Sequence, residues 1–104
     1  MEIGRIKIGP MEFTIEAVND LQEGNAKLLG KINSADLILH VDDSLPKQAM
    51  EQTIWHESLH AILEQLGQVK HAGDESLVDP LAYMIYLFVQ NNKQFILAHY
   101  EQGE

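Results

Sequence analysis

The first 42 residues carry the apolar pattern of short strands. An apolar-rich run over residues 3–8 ends at Gly9 and Pro10, which together are a turn signal. Residues 11–16 alternate apolar and polar side chains, the period of a half-buried strand. Residues 28–32 and 36–41 are again rich in apolar side chains. The pattern therefore predicts three or four strands in this part of the chain.

The spacing of apolar residues after position 46 is that of helices. The first predicted helix has N-cap candidates at residues 42–44, Pro46 in its first turn and Gly67 at its end. A second helix is predicted over residues 74–90, and a short last helix over residues 94–100. The predicted buried stripe of the first helix is Trp55, Leu59, Ile62 and Leu66, and that of the second is Leu77, Leu81, Met84, Ile85 and Phe88.

Strands that come first and helices that follow predict an α+β fold. We expect a small, mostly antiparallel N-terminal sheet of three or four strands, packed on two successive helices, and a short C-terminal helix. Neither an internal repeat nor a linker interrupts the 104 residues, so residues 1–104 are expected to form a single domain.

Composition narrows the classes of function. Seven basic and sixteen acidic residues give a net charge of −9, which predicts that nucleic acid is not a partner. No window approaches the roughly 18 apolar residues of a membrane span, so no membrane partner is expected either. The N-terminus lacks the apolar stretch of a signal peptide, and a cytoplasmic location is expected. Because the chain has no cysteine, a metal would have to be bound by histidine and carboxylate side chains.

Residues 56–60 carry the candidate chemistry. They read His56-Glu57-Ser58-Leu59-His60, an H-E-x-x-H sequence within the first predicted helix. Positions i and i+4 share one helix face, so both imidazoles can reach a single metal ion. Glu57 lies beside them and can handle the proton of a water activated by that metal. The motif is typical of zinc-dependent peptidases.

A third ligand must come from outside this motif, because a catalytic zinc usually has three protein ligands. The extension H-E-x-x-H-x-x-G-x-x-H is excluded, since Leu63 and Leu66 occupy its last two defined positions. Glu75 and Asp79 would share a face of the second helix, where one could reach the metal and the other a histidine ring. Pro80 disfavours helix at the residue before it, so His71 and Asp74 stay open as alternatives to Glu75.

With these residues in place, the chain resembles a minimal gluzincin, the type of zinc metallopeptidase found in the IrrE-like domain family and in small phage-associated proteins. The resemblance lies in residues 53–62, 74–79 and 81–82. It implies Zn²⁺ bound by His56, His60 and Glu75, with Glu57 as the general base and Asp79 orienting His56. It further implies hydrolysis of a peptide or protein substrate.

Two further assignments belong to this interpretation. In the resembling family an edge strand above the active-site helix binds the substrate main chain, a role assigned here to Ile38, Leu39 and His40. The oxyanion of a tetrahedral intermediate would be stabilised by one of His40, His71, His99, Tyr83, Tyr86 and Tyr100, and no spacing chooses among them.

The alternative function is a metal-binding regulatory or interaction module, again of phage-related type, that is catalytically silent or latent. Histidine and carboxylate ligands would also accept Ni²⁺ or Co²⁺ in place of Zn²⁺. A module of that kind would bind the metal without cleaving peptides.

Overall fold

A mixed four-stranded sheet packs on a helical layer in the computed structural model, which describes residues 1–101. The strands are β1 (Glu2–Ile8), β2 (Met11–Val18), β3 (Gln22–Glu23), β4 (Ala26–Lys27), β5 (Gly30–Asn33) and β6 (Ile38–Asp42). The helices are α1 (Lys47–Gln65), α2 (Val69–Ala72), α3 (Glu75–Asn91) and α4 (Lys93–Glu101). No helix within residues 1–101 has both the length and the apolar character needed to cross a bilayer.

The main sheet has the strand order β1-β2-β6-β5, and β3 and β4 form a separate small hairpin. β1 pairs with β2, and β5 with β6, in antiparallel register, whereas β2 and β6 run parallel. The predicted α+β fold with a mostly antiparallel sheet and a short C-terminal helix is therefore confirmed. The parallel pair arises because the chain leaves β2, forms the β3–β4 hairpin and β5, and returns as β6 beside β2.

Strand β6 is an inner strand, so the prediction of a substrate-binding edge at Ile38, Leu39 and His40 is wrong. Leu39 pairs with Ile15 on one side and with Ile32 on the other, and its side chain is fully buried. An inner strand has no free main-chain groups to offer a peptide. The free edge on this side of the sheet belongs to β5.

Asp42, at the end of β6, organises the loops at this end of the sheet. Its carboxylate, 1% exposed, accepts hydrogen bonds from the Leu21 N–H at 3.0 Å, the Lys27 ammonium at 2.9 Å and the N–H and hydroxyl of Ser44. The predicted N-cap role at residues 42–44 is therefore wrong: α1 begins at Lys47, after Pro46, without a side-chain cap. The carboxylate instead fixes the β3–β4 hairpin next to the sheet.

Helix α1 lies between the sheet and α3, and it is buried on two sides. Ala61 packs with Ile8 and Phe13 of the sheet, and Leu59 packs with residues of α3. The predicted single stripe is correct at Leu59 and wrong at Ile62 and Leu66, which are exposed. A helix between two layers needs two narrow apolar faces, so the stripe expected of a surface helix does not describe it.

Helix α3 begins at Glu75 and continues through Pro80. Asp74 caps it, because the Asp74 carboxylate accepts a hydrogen bond from the Ser76 N–H at 3.0 Å. A full turn therefore precedes the proline. The buried face is formed by Val78, Ala82 and Tyr86, whereas most of the predicted stripe is exposed, at Leu81, Met84 and Phe88.

Candidate metal centre

Three side-chain atoms that could each bind a metal ion converge between α1 and α3. His56 and His60 are one turn apart on α1, and their Nε2 atoms lie 3.2 Å from each other. Glu75, the first residue of α3, brings its Oε1 atom to 3.2 Å from His56 Nε2 and 3.3 Å from His60 Nε2. The helix start that Asp74 and Ser76 define thus puts the Glu75 carboxylate directly beside the histidine pair.

The remaining ring nitrogens show where the imidazole protons lie. His60 Nδ1 contacts the carbonyl oxygen of Ala72, which can only accept a hydrogen bond, so Nδ1 must donate. His56 Nδ1 lies 3.1 Å from Asp79 Oδ1, and this carboxylate is likewise an acceptor when ionised. In a neutral imidazole a protonated Nδ1 leaves Nε2 with a bare lone pair.

When both histidines are neutral, the three converging atoms, His56 Nε2, His60 Nε2 and Glu75 Oε1, are therefore all hydrogen-bond acceptors. Two imidazole lone pairs and a carboxylate oxygen, 3.2–3.3 Å apart, repel one another unless a cation lies among them. This spacing fits a metal ion with tetrahedral coordination. Ligand atoms bound about 2.0–2.1 Å from such an ion lie about 3.3–3.4 Å from one another. By these distances His56, His60 and Glu75 could bind a metal ion, and two overlapping groups, His56–Glu57–His60 and His56–Glu75–Asp79, have potential ligand atoms within 4.8 Å of one another.

Glu57 lies next to this group, half-buried on the side of α1 that faces β5. Its carboxylate belongs to a cluster with His56 and His60 in which one potential ligand atom from each residue lies within 4.8 Å of the others. Burial raises the pKa of Glu57, against the opposing effect of the two histidines and of a backbone hydrogen bond from Ile32. A carboxylate with a raised pKa is a better proton acceptor than one on the surface.

Two cavities meet at the group. One, of about 460 Å³, is bordered by Leu28, Leu29, Tyr83 and Ala82, besides His56 and Asp79. The other, of about 470 Å³, is bordered by Lys31, Ile32, Glu64 and Val69, besides His60. Leu28, Gly30, Glu57 and Glu75 border both, so the cavities form one groove along β5.

The alternative third ligands lie elsewhere. His71 Nδ1 lies 3.2 Å from Gln68 Oε1 on the surface, and Asp74 is the cap of α3. The ring of His99 stacks on Phe95 of α4, with centroids 6.2 Å apart. Of the six candidates for oxyanion stabilisation, Tyr83 is the one that borders the groove.

The residues that sequence reasoning missed are Gly30 and Ala72. A β-carbon at Gly30 would lie 2.5 Å from Thr53 Cγ2 and 3.2 Å from Glu57 Cγ, so the missing side chain lets β5 approach α1 beside Glu57. The glycine within an apolar-rich stretch was the available signal for this close approach. Ala72 acts through its backbone carbonyl, which has no signature in the sequence.

In comparisons with known proteins, no family model, curated protein or solved structure matches the chain.

Proposed function

We propose that the chain is a zinc-dependent peptidase. The observation that carries the proposal is the convergence of three potential ligand atoms, from His56, His60 and Glu75, beside the half-buried carboxylate of Glu57. Two imidazoles and one carboxylate are a common ligand set of catalytic zinc and leave one position for water or substrate. Structural zinc sites are instead usually closed sets of four ligands.

In this proposal His56, His60 and Glu75 bind the ion. Zinc supplies a Lewis acid that makes water a stronger nucleophile and polarises the carbonyl of a peptide bond. Asp79 accepts the Nδ1 proton of His56, which fixes the tautomer and increases the basicity of Nε2 as a ligand. The carbonyl of Ala72 does the same for His60.

Glu57 is the general base. It takes a proton from the attacking water and delivers it to the nitrogen of the departing amine. Its position beside His56 and His60 supports both roles, because the carboxylate lies next to the place where the water and the departing amine would be. Glu57 is not counted among the metal ligands.

The substrate is an extended peptide that lies along β5. This part of the proposal is supported by the free edge of β5 and by Gly30, which borders both cavities. A peptide added to that edge would pair through its main chain and place side chains alternately in the cavities and towards solvent. Its scissile bond would then pass in front of Glu57.

The first experiment measures bound zinc per chain by native mass spectrometry after zinc exposure and desalting. The wild-type chain is expected to retain one zinc ion and His60→Ala none. His71→Ala is the matched control, because this surface histidine contacts Gln68 rather than Glu75, and it should retain zinc. Absence of zinc from the wild-type chain would overturn the proposal.

The second experiment separates chemistry from metal binding. Glu57→Gln should retain one zinc ion and lose cleavage of unfolded casein, because the amide cannot take the proton from water. Glu12→Gln, on an exposed strand position far from the groove, should leave both unchanged. If Glu57→Gln lost zinc as well, Glu57 would be a ligand and the assignment as base would fail.

The alternative function is a silent or latent metal-binding module. It is favoured by the openness of the site on the α3 side, where the Glu75 and Asp79 side chains are 60% and 62% exposed. Water can enter such a site freely, because these two side chains cover it only in part. A wild-type chain that retained zinc but cleaved neither casein nor its own termini would support this alternative.

A further inference from the structure

Helix α3 has two apolar faces, and one of them is exposed. The buried face contains Val78 and Ala82. The second face follows the same i, i+4, i+7, i+11 spacing over Leu77, Leu81, Met84 and Phe88. Met84 and Phe88 of this second face are 60% and 64% exposed. A helix that is apolar on opposite sides is normally covered on both.

Helix α4 adds to the same exposed region. It contacts α3 and no other element within residues 1–101, and none of its residues is buried. Phe95 and Tyr100 are 74% and 78% exposed. A helix of nine residues is marginal in water unless one of its faces is covered, and the contact with α3 buries none of the residues of α4. The α3–α4 surface is defined here as Leu77, Leu81, Met84, Phe88, Phe95, Leu97 and Tyr100.

The total surface of the chain is larger than that of a typical monomer. The accessible area is 7111 Å², whereas a compact monomer of 11.8 kDa exposes about 5,900 Å². The excess of about 1,200 Å² exceeds the roughly 800 Å² that each partner buries in a standard interface. The radius of gyration, 14.4 Å, is likewise above the roughly 13 Å expected for this length. The excess over the whole chain is therefore of the size that one partner buries in a stable interface.

The charge of this region favours another copy of the chain over other partners. Residues 80–100 contain Lys93 as their single Asp, Glu, Lys or Arg residue, although the whole chain has a net charge of −9. Two such segments do not repel each other. A basic partner would find no carboxylate within residues 80–100, and an anionic membrane would find Lys93 as the single Lys or Arg residue there.

We propose that the α3–α4 surface binds the same surface of a second copy, forming a two-fold symmetric dimer. In such a dimer the exposed faces of the two α3 helices pack side by side, and each α4 covers its counterpart. At 100° per residue, Met84 lies about 180° around α3 from Glu75, so the interface leaves both metal centres open. The proposal does not depend on the proposed peptidase activity.

The test is sedimentation velocity of the whole chain from about 1 to about 100 µM, the range in which a moderate dimer dissociates. The wild-type chain is expected to sediment as a dimer at the upper end. Phe88→Glu and Met84→Glu should each weaken association at least about tenfold, since a charge would be buried in an apolar interface. Leu66→Glu is the matched control, because Leu66 is as exposed but lies at the end of α1.

A second measurement avoids dependence on the variants folding. Hydrogen exchange of the wild-type chain should slow in α4 as concentration rises, and the amides of β1 should not change. A wild-type chain that stays monomeric throughout would overturn the proposal, and binding of that monomer to neutral lipid vesicles would assign the surface to a membrane. A dimer that survives both glutamate substitutions would also overturn it.

Discussion

Asp79 Oδ1 lies 3.1 Å from His56 Nδ1, and this contact connects α3 to α1. The other ring nitrogen of His56, Nε2, faces Glu75. The contact requires α3 to be helical up to Pro80, because Glu75 and Asp79 share a face only in a helix. One turn of α3 thus supplies both a donor atom at the centre and the acceptor that orients a histidine.

Asp79→Asn is expected to weaken zinc affinity about 10- to 100-fold without abolishing binding. The amide is neutral and supports the protonated Nδ1 of His56 less well than the carboxylate does. Competition with a chromophoric chelator measures the affinity directly. Asp43→Asn, in the exposed loop before α1, is the control and should bind zinc like the wild-type chain. Unchanged affinity in Asp79→Asn would mean that the contact with His56 has no effect on the metal.

Gly30→Ala is expected to destabilise the fold by about 1–3 kcal/mol and to reduce cleavage. The new methyl group would lie 2.5 Å from Thr53 Cγ2 and 3.2 Å from the backbone oxygen of His40, so β5 must move away from α1. Urea unfolding measures the stability. Gly4→Ala is the matched control, since a β-carbon at Gly4 meets no atom within 4 Å. A Gly30→Ala chain as stable and active as the Gly4→Ala chain would contradict the close approach.

The sequence was sufficient to predict what depends on local spacing. The alternation in residues 11–16 predicts β2, and Gly9 and Pro10 predict the turn before it; the structure confirms both and shows that β1 and β2 pair as a hairpin. The pair His56 and His60 is brought together by the helix alone. The start of α3 could have been predicted more firmly, because Asp74 followed by Glu75 and Ser76 has the composition of a capped first turn.

What the sequence did not predict depends on contacts between distant segments. Spacing shows which side chains share a face, but not which neighbour covers that face. For this reason Ile38–Asp42 is easily taken for an edge strand, although β2 and β5 flank it. The exposed apolar face of α3 could not be predicted for the same reason. Met84 and Phe88 have the helical spacing of buried residues, but the core contacts another face of the helix.

Tyr83→Phe is expected to lower kcat of peptide cleavage up to about 100-fold with little change in KM, if the hydroxyl stabilises charge in the transition state. The prediction follows from the position of Tyr83, which borders the groove together with His56 and Glu57. Steady-state kinetics on a fluorogenic peptide separate the two constants. Tyr100→Phe, on α4, is the control. A change confined to KM would make Tyr83 a residue of ground-state substrate binding instead.

Asp42 is expected to stabilise the fold in a pH-dependent manner. Hydrogen bonds from Ser44, Lys27 and the Leu21 N–H hold the pKa of Asp42 well below its ordinary value. Because the folded-state pKa is depressed, the stabilisation is fully present above the unfolded pKa of about 4 and is lost as the pH falls towards the folded value.

The difference in melting temperature between the wild-type chain and Asp42→Asn should therefore be largest at neutral pH and shrink below about pH 4. Thermal unfolding with a chelator present measures it, since metal release at low pH would otherwise contribute to the same trend. Asp43→Asn removes a neighbouring exposed carboxylate and should melt like the wild-type chain at each pH. A difference that stayed constant down to pH 2.5 would mean that the buried carboxylate stabilises the fold through its shape and not through its charge.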